Sequence, residues 1–217
     1  MVNNNVGDLG AENADRLLNC VLSLPPNSTL VDLGVRLGQS SRIMLTQAAE
    51  RKNHVHGVEA IGCAPSLEDI LALPYYHFHS GDSVTTGLEL KPSNLSLVMF
   101  DTFHFAEHIL CELYAWWPHI QNGGWCVFHD TNWTASHHDV YAGRVLPHAI
   151  EGVKEFFQGF GYETYPDSWG MTFVQKNGGM TNLIERIPES RWREIFEVRR
   201  AVMNAVNLPI KWKDIYQ

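Results

Sequence analysis

Asp101 and His104 follow one apolar run, LSLVMF, and His129 and Asp130 close another, WCVFHD. Two carboxylates and two imidazoles can hold a divalent cation, and an imidazole titrating near neutral pH can take a proton from a substrate. A second group lies in VDLGVRLGQSS, where Asp32, Gly34 and Gly38 stand before a helix opened by Ser40 and Ser41. Glycines at such a junction let a ligand approach unpaired backbone NH groups, which suits a nucleotide-like molecule; a plain tight turn is the other reading. The spacing is not GxGxxG, and Arg36 stands where the middle glycine would admit a pyrophosphate, so a dinucleotide is disfavoured. Glu59, ending HVHGVEA, lies about as far beyond the glycines as an acid that bonds ribose hydroxyls. Asp82 and Ser83 of SGDS fit either a nucleobase contact or an Asx turn.

These residues need a parallel sheet to bring them together. LSLVMF reads as a strand buried on both faces, and Ile109, Leu110, Leu113, Trp116, Trp117 and Ile120 have helical spacing, with Asn122-Gly123-Gly124 expected to break that helix. Parallel strands joined by a crossover helix end on one edge of the sheet, so Asp101, His104, His129 and Asp130 should converge there. Before this segment come an opening helix over Asn13–Leu22, a strand in STLVDLG, one helix over GQSSRIMLTQAAERK, a strand in HVHGVEA, a short helix in SLEDILAL and a strand in YYHFHSGDS. After it come a helix in LPHAIEGVKEFFQGFG, two short strands in GYETYPDSWGMTFVQK that form an edge hairpin, and an amphipathic tail helix. The candidate boundary at Asn177–Thr181 divides a main domain, 1–178, from a helical extension, 179–217.

At 217 residues, 45% of them hydrophobic, the chain supports one core of α/β class. A net charge of -8 without a Lys/Arg run disfavours nucleic acid, and no apolar stretch is long enough for a membrane span. The N-terminus lacks the basic and apolar regions of a signal peptide, so a soluble, cytoplasmic protein is expected. Cys20, Cys63, Cys111 and Cys126 are scattered and read as small core residues. The aromatic face of the tail helix suggests packing on its own domain or a homodimer.

Together VDLGVRLGQSS, HGVEA, HSGDS, FDTFH, NGGWCVFHD and WGMTFVQK resemble the class I S-adenosylmethionine-dependent methyltransferases over roughly Leu30 to Lys176. Within them the likeness is to the branch labelled methyltransferase domain 24, with its macrocin- and mycinamicin-type sugar O-methyltransferases and its cephalosporin hydroxylase-like proteins. The resemblance implies a doubly wound, mostly parallel seven-stranded sheet of Rossmann-like form. It places the methionine part of the cofactor by Asp32, Gly34, Gly38 and Ser40, the ribose on Glu59, and the adenine near Asp82 and Ser83. Members of the branch hold a divalent metal, usually magnesium, on the carboxylate ending the fourth strand and an acidic pair ending the fifth. A histidine three residues past the first carboxylate serves as base. Carried over, the metal set is Asp101, His129 and Asp130, with His104 and Asp101 as catalytic residues. His129 puts an imidazole where the family has an oxygen ligand, which shifts the donor set from magnesium toward manganese or iron.

The reaction so implied is methyl transfer to a hydroxyl of a small molecule, a sugar or natural-product intermediate. Alternatives are a phenol, catechol or nitrogen acceptor, a metal-dependent oxygenase, and a cofactor-binding subunit without catalysis. TNWTASHHDVYAGR reads as an acceptor-binding lid using Trp133, His137, His138, Tyr141 and Arg144, or as a plain surface loop.

Overall fold

In a computed structural model, which describes residues 9–62, 65–132, 140–141 and 144–206, the strands fall in the order that the sequence implies. They are β1 (Thr29–Leu33), β2 (His54–Glu59), β3 (Tyr76–Ser80), β4 (Leu95–Phe100) and β5 (Ile120–His129). A separate two-stranded hairpin follows, β6 (Val140–Tyr141) and β7 (Arg144–Val145), and then β8 (Glu163–Tyr165) and β9 (Met171–Gln175). All but the small hairpin form one seven-stranded sheet, ordered β3-β2-β1-β4-β5-β9-β8. β1 to β5 pair in parallel, and β9 and β8 run antiparallel to their neighbours as the edge hairpin. This is the Rossmann-like methyltransferase arrangement.

β4 shows why the central strands are apolar throughout, since all of its residues are buried and alternate ones enter opposite layers. Leu97 and Met99 join Leu30 and Val127 beneath α1 (Ala11–Ser23), α2 (Gln39–Met44) and, beyond α3 (Ala48–Arg51), the short α4 (Glu68–Leu71). Val98 and Phe100 join Val31, Cys126 and Phe128 on the other face, which carries α5 (Ser83–Leu90), α6 (Ala106–Trp116) and α7 (Ala149–Phe156). After the short α8 (Leu183–Arg186), the tail helix α9 (Glu189–Ala205) adds Trp192 and Ile195 to that same cluster. Its remaining aromatic, Phe196, packs on Tyr114 of α6.

Three local expectations differ from the structure. The helix read as one over residues 38–52 is split into α2 and α3: the Thr46 N–H bonds the Ile43 carbonyl, its hydroxyl bonds that of Arg42, and Gln47 turns to φ 62. Asn122-Gly123-Gly124 is not the helix break. α6 ends at Trp116 in a 3-10 turn through Pro118, the Lys176 ammonium bonds the Trp117 carbonyl, and the NGG triplet lies within β5. α5 was not expected as a helix; the Asp82 side chain caps it by accepting from the Thr85 N–H. Among the described residues no helix is long and apolar enough to cross a membrane.

Candidate active site

β1 and β4 end side by side, with the Asp101 N–H bonded to the Leu33 carbonyl. The turn after β1 then passes so close to Asp101 that a Cβ on Gly34, at φ +86, would overlap the Asp101 carbonyl oxygen. Only glycine satisfies both the left-handed backbone and that approach. Gly38, at φ +76, begins α2, and a Cβ there would collide with Leu67.

The four acid and imidazole residues converge as expected. His104 Nε2 lies 2.8 Å from Asp130 Oδ2 and 3.4 Å from Asp101 Oδ1, while His129 Nδ1 lies 3.2 Å from Asp101 Oδ1 and 3.3 Å from Asp130 Oδ2. Asp130 reaches this position from a left-handed backbone, φ 55, just past the end of β5. Exposure separates the two imidazoles: the His104 side chain is 19% exposed at the cavity wall and that of His129 only 4%. His129 Nε2 is buried and has no hydrogen-bond partner among the described residues.

The cluster holds protons in an unusual way. Burial alone would lower the His104 and His129 pKa values, but hydrogen bonds to Asp101 and Asp130 outweigh it and raise both to about 10. Burial would raise the carboxylates, and the same two histidines hold Asp101 and Asp130 below the usual carboxylate range. In the metal-free protein His104 is therefore a cation between two anions.

A pH dependence follows for the metal-free protein. The stabilisation from the histidines is complete below their ordinary 6.5 and fades as pH rises toward about 10. That from the carboxylates is complete above 3.8 and fades as pH falls below it. Thermal unfolding of metal-stripped wild type and His104→Gln should show the largest wild-type advantage between these limits and a shrinking one up to pH 10. A constant difference would contradict this charge assignment. Taking the difference removes the contribution of Asp32, which burial raises to about 7 against the Ser41 and Ser40 hydroxyl bonds and which therefore also loses stability as pH rises from 3.8 toward 7.

Asp32 itself is fully buried and is engaged by the hydroxyls of Ser40 and Ser41, at 2.7 and 2.5 Å to Oδ2. It fixes the start of α2, and Ser40 lines the cavity beside it. Glu59 accepts from the Arg36 and Ile61 N–H groups at 3.0 and 3.1 Å, and lines a cavity of about 250 Å³. Asp82 and Ser83 line the same cavity, but their side chains are occupied. Asp82 Oδ1 takes the Thr85 N–H, Oδ2 takes Arg199, and the Ser83 hydroxyl bonds Glu112 at 2.5 Å.

A larger cavity, about 530 Å³, holds His104, His129, Asp130 and Trp169. The two cavities share Gly34, Arg36, Asp101 and Thr102, so Asp101 stands where they meet. Thr102, His108 and Met203 complete the smaller one and were not read from the sequence. His108 is followed by Glu112 one helical turn later, a readable pair, whereas nothing local announces that Met203 of α9 returns to the sheet edge. Of the expected acceptor contacts, Trp133, His137 and His138 lie outside the described residues. Tyr141 and Arg144 belong to the small hairpin, which is described at backbone level only.

A family model described as a methyltransferase domain matches residues 31–131, the stretch from β1 through Asp130. Over that stretch the chain is similar to methyltransferase domains. Solved structures of the same fold are similar over most of this chain. A protein described as a putative caffeoyl-CoA O-methyltransferase from Staphylococcus aureus has 12% identity and a TM-score of 0.60, covering 80% of this chain and 87% of its own. Cofactor-bound Rv0187 from MTB has 13% identity and a TM-score of 0.58, over 77% and 81%. MycE methyltransferase from the mycinamycin biosynthetic pathway, solved with Mg and SAH, has 16% identity and a TM-score of 0.54. That match covers 76% of this chain and 49% of MycE, so the chain spans about half of its length. No curated protein matches the sequence.

The metal donor set fits a divalent ion. Asp101, His104 and Asp130 each offer one ligand atom, and these lie within 4.8 Å of one another. His129 lines the same cavity and keeps its Nδ1 within 3.3 Å of both carboxylates.

Proposed function

We propose that this chain is an S-adenosylmethionine-dependent O-methyltransferase that uses a divalent metal and methylates a hydroxyl of a small molecule, such as a sugar or natural-product intermediate. The observation that carries this is the meeting of the two cavities at Asp101, with the ribose-type acid Glu59 in one and the imidazole His104 in the other. The cofactor occupies the smaller cavity with its ribose on Glu59 and its methionine end over Gly34, and the acceptor enters the larger one. The solved relatives that hold SAH and Mg support the same assignment.

Asp101 and Asp130 would hold a divalent ion, and their oxygen donors suit magnesium or manganese. A metal held there would supply positive charge to polarise the acceptor hydroxyl and to offset the carboxylates that hold a proton on His104. His104 then takes the hydroxyl proton as the oxygen attacks the methyl group, and S-adenosylhomocysteine leaves. Exclusion of water and alignment of donor with acceptor supply further rate. The two-histidine oxygenase reading gains nothing from the geometry, since His129 offers its Nδ1 to the carboxylates and keeps Nε2 buried.

The test is transfer of labelled methyl from S-adenosylmethionine to a panel of sugars and catechols. Chelation should abolish transfer, and magnesium or manganese should restore it. Transfer that is unchanged by chelation would remove the metal from the reaction; transfer to amines only would remove the oxygen acceptor.

A further inference from the structure

Four histidines at the far edge of the sheet take no part in this chemistry. His54 and His56 on β2 and His77 and His79 on β3 are each two residues apart, so all four point to one face of adjacent parallel strands, and His56 is directly opposite His77 in the register. β3 is the outermost strand, which leaves His54 exposed and the other three half-buried. His54 Nδ1 lies 2.9 Å from His77 Nε2, and His56 Nδ1 lies 2.9 Å from His79 Nε2. The ring centroids in these pairs are 5.1 and 5.2 Å apart, with planes within 21° and 12° of each other. A nitrogen contact that short at that centroid spacing means that the rings meet edge to edge in nearly a common plane, lone pair against N–H. The pairs are linked by His56 and His77, whose centroids are 4.8 Å apart.

Among the described residues no carboxylate pairs with any of the four imidazoles; each has another imidazole as its hydrogen-bond partner. A cluster that was to carry protons would need counter-anions. Instead, burial first and the neighbouring imidazoles second lower the His56 pKa to about 4 and move His77 and His79 downward as well. His56, His77 and His79 are thereby held toward the neutral form, in which histidine binds metals.

We propose that this histidine ladder on β2 and β3 is a binding site for a borderline divalent transition metal, nickel, zinc or copper, held between one cross-strand pair and completed by water. Two nitrogens on a tetrahedral ion at about 2.0–2.1 Å stand roughly 3.3–3.4 Å apart, so a pair opens by only a few tenths of an ångström to admit one. The proton shared within the pair moves to the outer nitrogen of the donor ring, leaving both inner lone pairs for the metal and no net charge to dispose of. Two dications on neighbouring pairs would repel across the short span of the ladder, which limits it to one ion. The all-nitrogen donor set rejects magnesium, so this site and the carboxylate centre select different ions.

The test is calorimetric titration of Ni²⁺ into the tag-free full chain carrying Asp101→Asn and Asp130→Asn, which disable the carboxylate centre. One equivalent should bind, and adding His56→Gln and His77→Gln, which breaks both pairs, should abolish it while leaving the thermal unfolding of the metal-free protein unchanged. Binding that persists in that variant, or its absence from the parent, overturns the proposal. Should that variant fail to fold, His54→Gln with His79→Gln, which breaks the same two pairs, takes its place: lost binding supports the site, and retained binding overturns it.

Discussion

Replacing His104 by alanine should lower turnover roughly 10²–10⁴-fold, the range that a positioned general base contributes, while leaving S-adenosylmethionine affinity nearly intact. The geometry separates these two effects. His104 lies in the larger cavity, 2.8 Å from Asp130, and takes no part in the smaller cavity that holds Glu59. The variant also decides which role His104 has toward the ion. If Asp101 and Asp130 suffice as ligands, the variant keeps its metal affinity and loses its pH-dependent limb of turnover. A loss of metal binding would make the imidazole a ligand and leave the base to be found elsewhere. Steady-state kinetics over a pH range, paired with metal titration, reads both.

Arg199→Ala should cost about 3–5 kcal/mol of stability, the usual penalty for removing one partner of a buried ion pair. Arg199 is fully buried on α9, bonds Asp82, and donates from Nε to His108 Nδ1 at 3.1 Å. Burial would raise the Asp82 pKa, but Arg199 overrides that and keeps the carboxyl ionised, so truncation strands an anion at the start of α5. The damage should spread to the cofactor cavity. The His108 Nε2 atom lies 3.1 Å from Glu112, whose Oε1 also takes the hydroxyls of Ser83 and Thr102. Denaturant unfolding of Arg199→Ala, Asp82→Asn and the double variant forms the needed cycle. The double variant should recover part of the loss; strictly additive losses, or a single loss well under 1 kcal/mol, would show that the pair is not coupled.

The distance in sequence between these partners also marks what could be read in advance. LSLVMF gave β4 with its bounds because a strand buried on both faces needs no alternation, and the parallel crossover rule then brought Asp101 and His104 to His129 and Asp130. The Asp82-to-Thr85 spacing was a readable helix cap, yet α5 has a glycine and two threonines among its eight residues and little helical propensity of its own. What holds its first turn includes Arg199, 117 residues away, and no local pattern reports that. The exposure of the two imidazoles has the same origin: both follow from the motif, but that His104 is 19% exposed and His129 only 4% emerges only once the strand ends and the left-handed turn at Asp130 are placed. Asp32 was legible as part of a glycine turn, while its pairing with Ser40 and Ser41 became visible only when the strand and helix were placed.

The central claim is that the smaller cavity binds S-adenosylmethionine, and calorimetric titration of the metal-stripped full chain with S-adenosylmethionine and S-adenosylhomocysteine tests it most directly. Binding with a dissociation constant on the order of micromolar is expected for both, weakened roughly 10–100-fold by Glu59→Ala, as loss of a charged hydrogen-bond acceptor implies. No binding of either ligand to folded protein, with or without magnesium or manganese, would contradict the assignment.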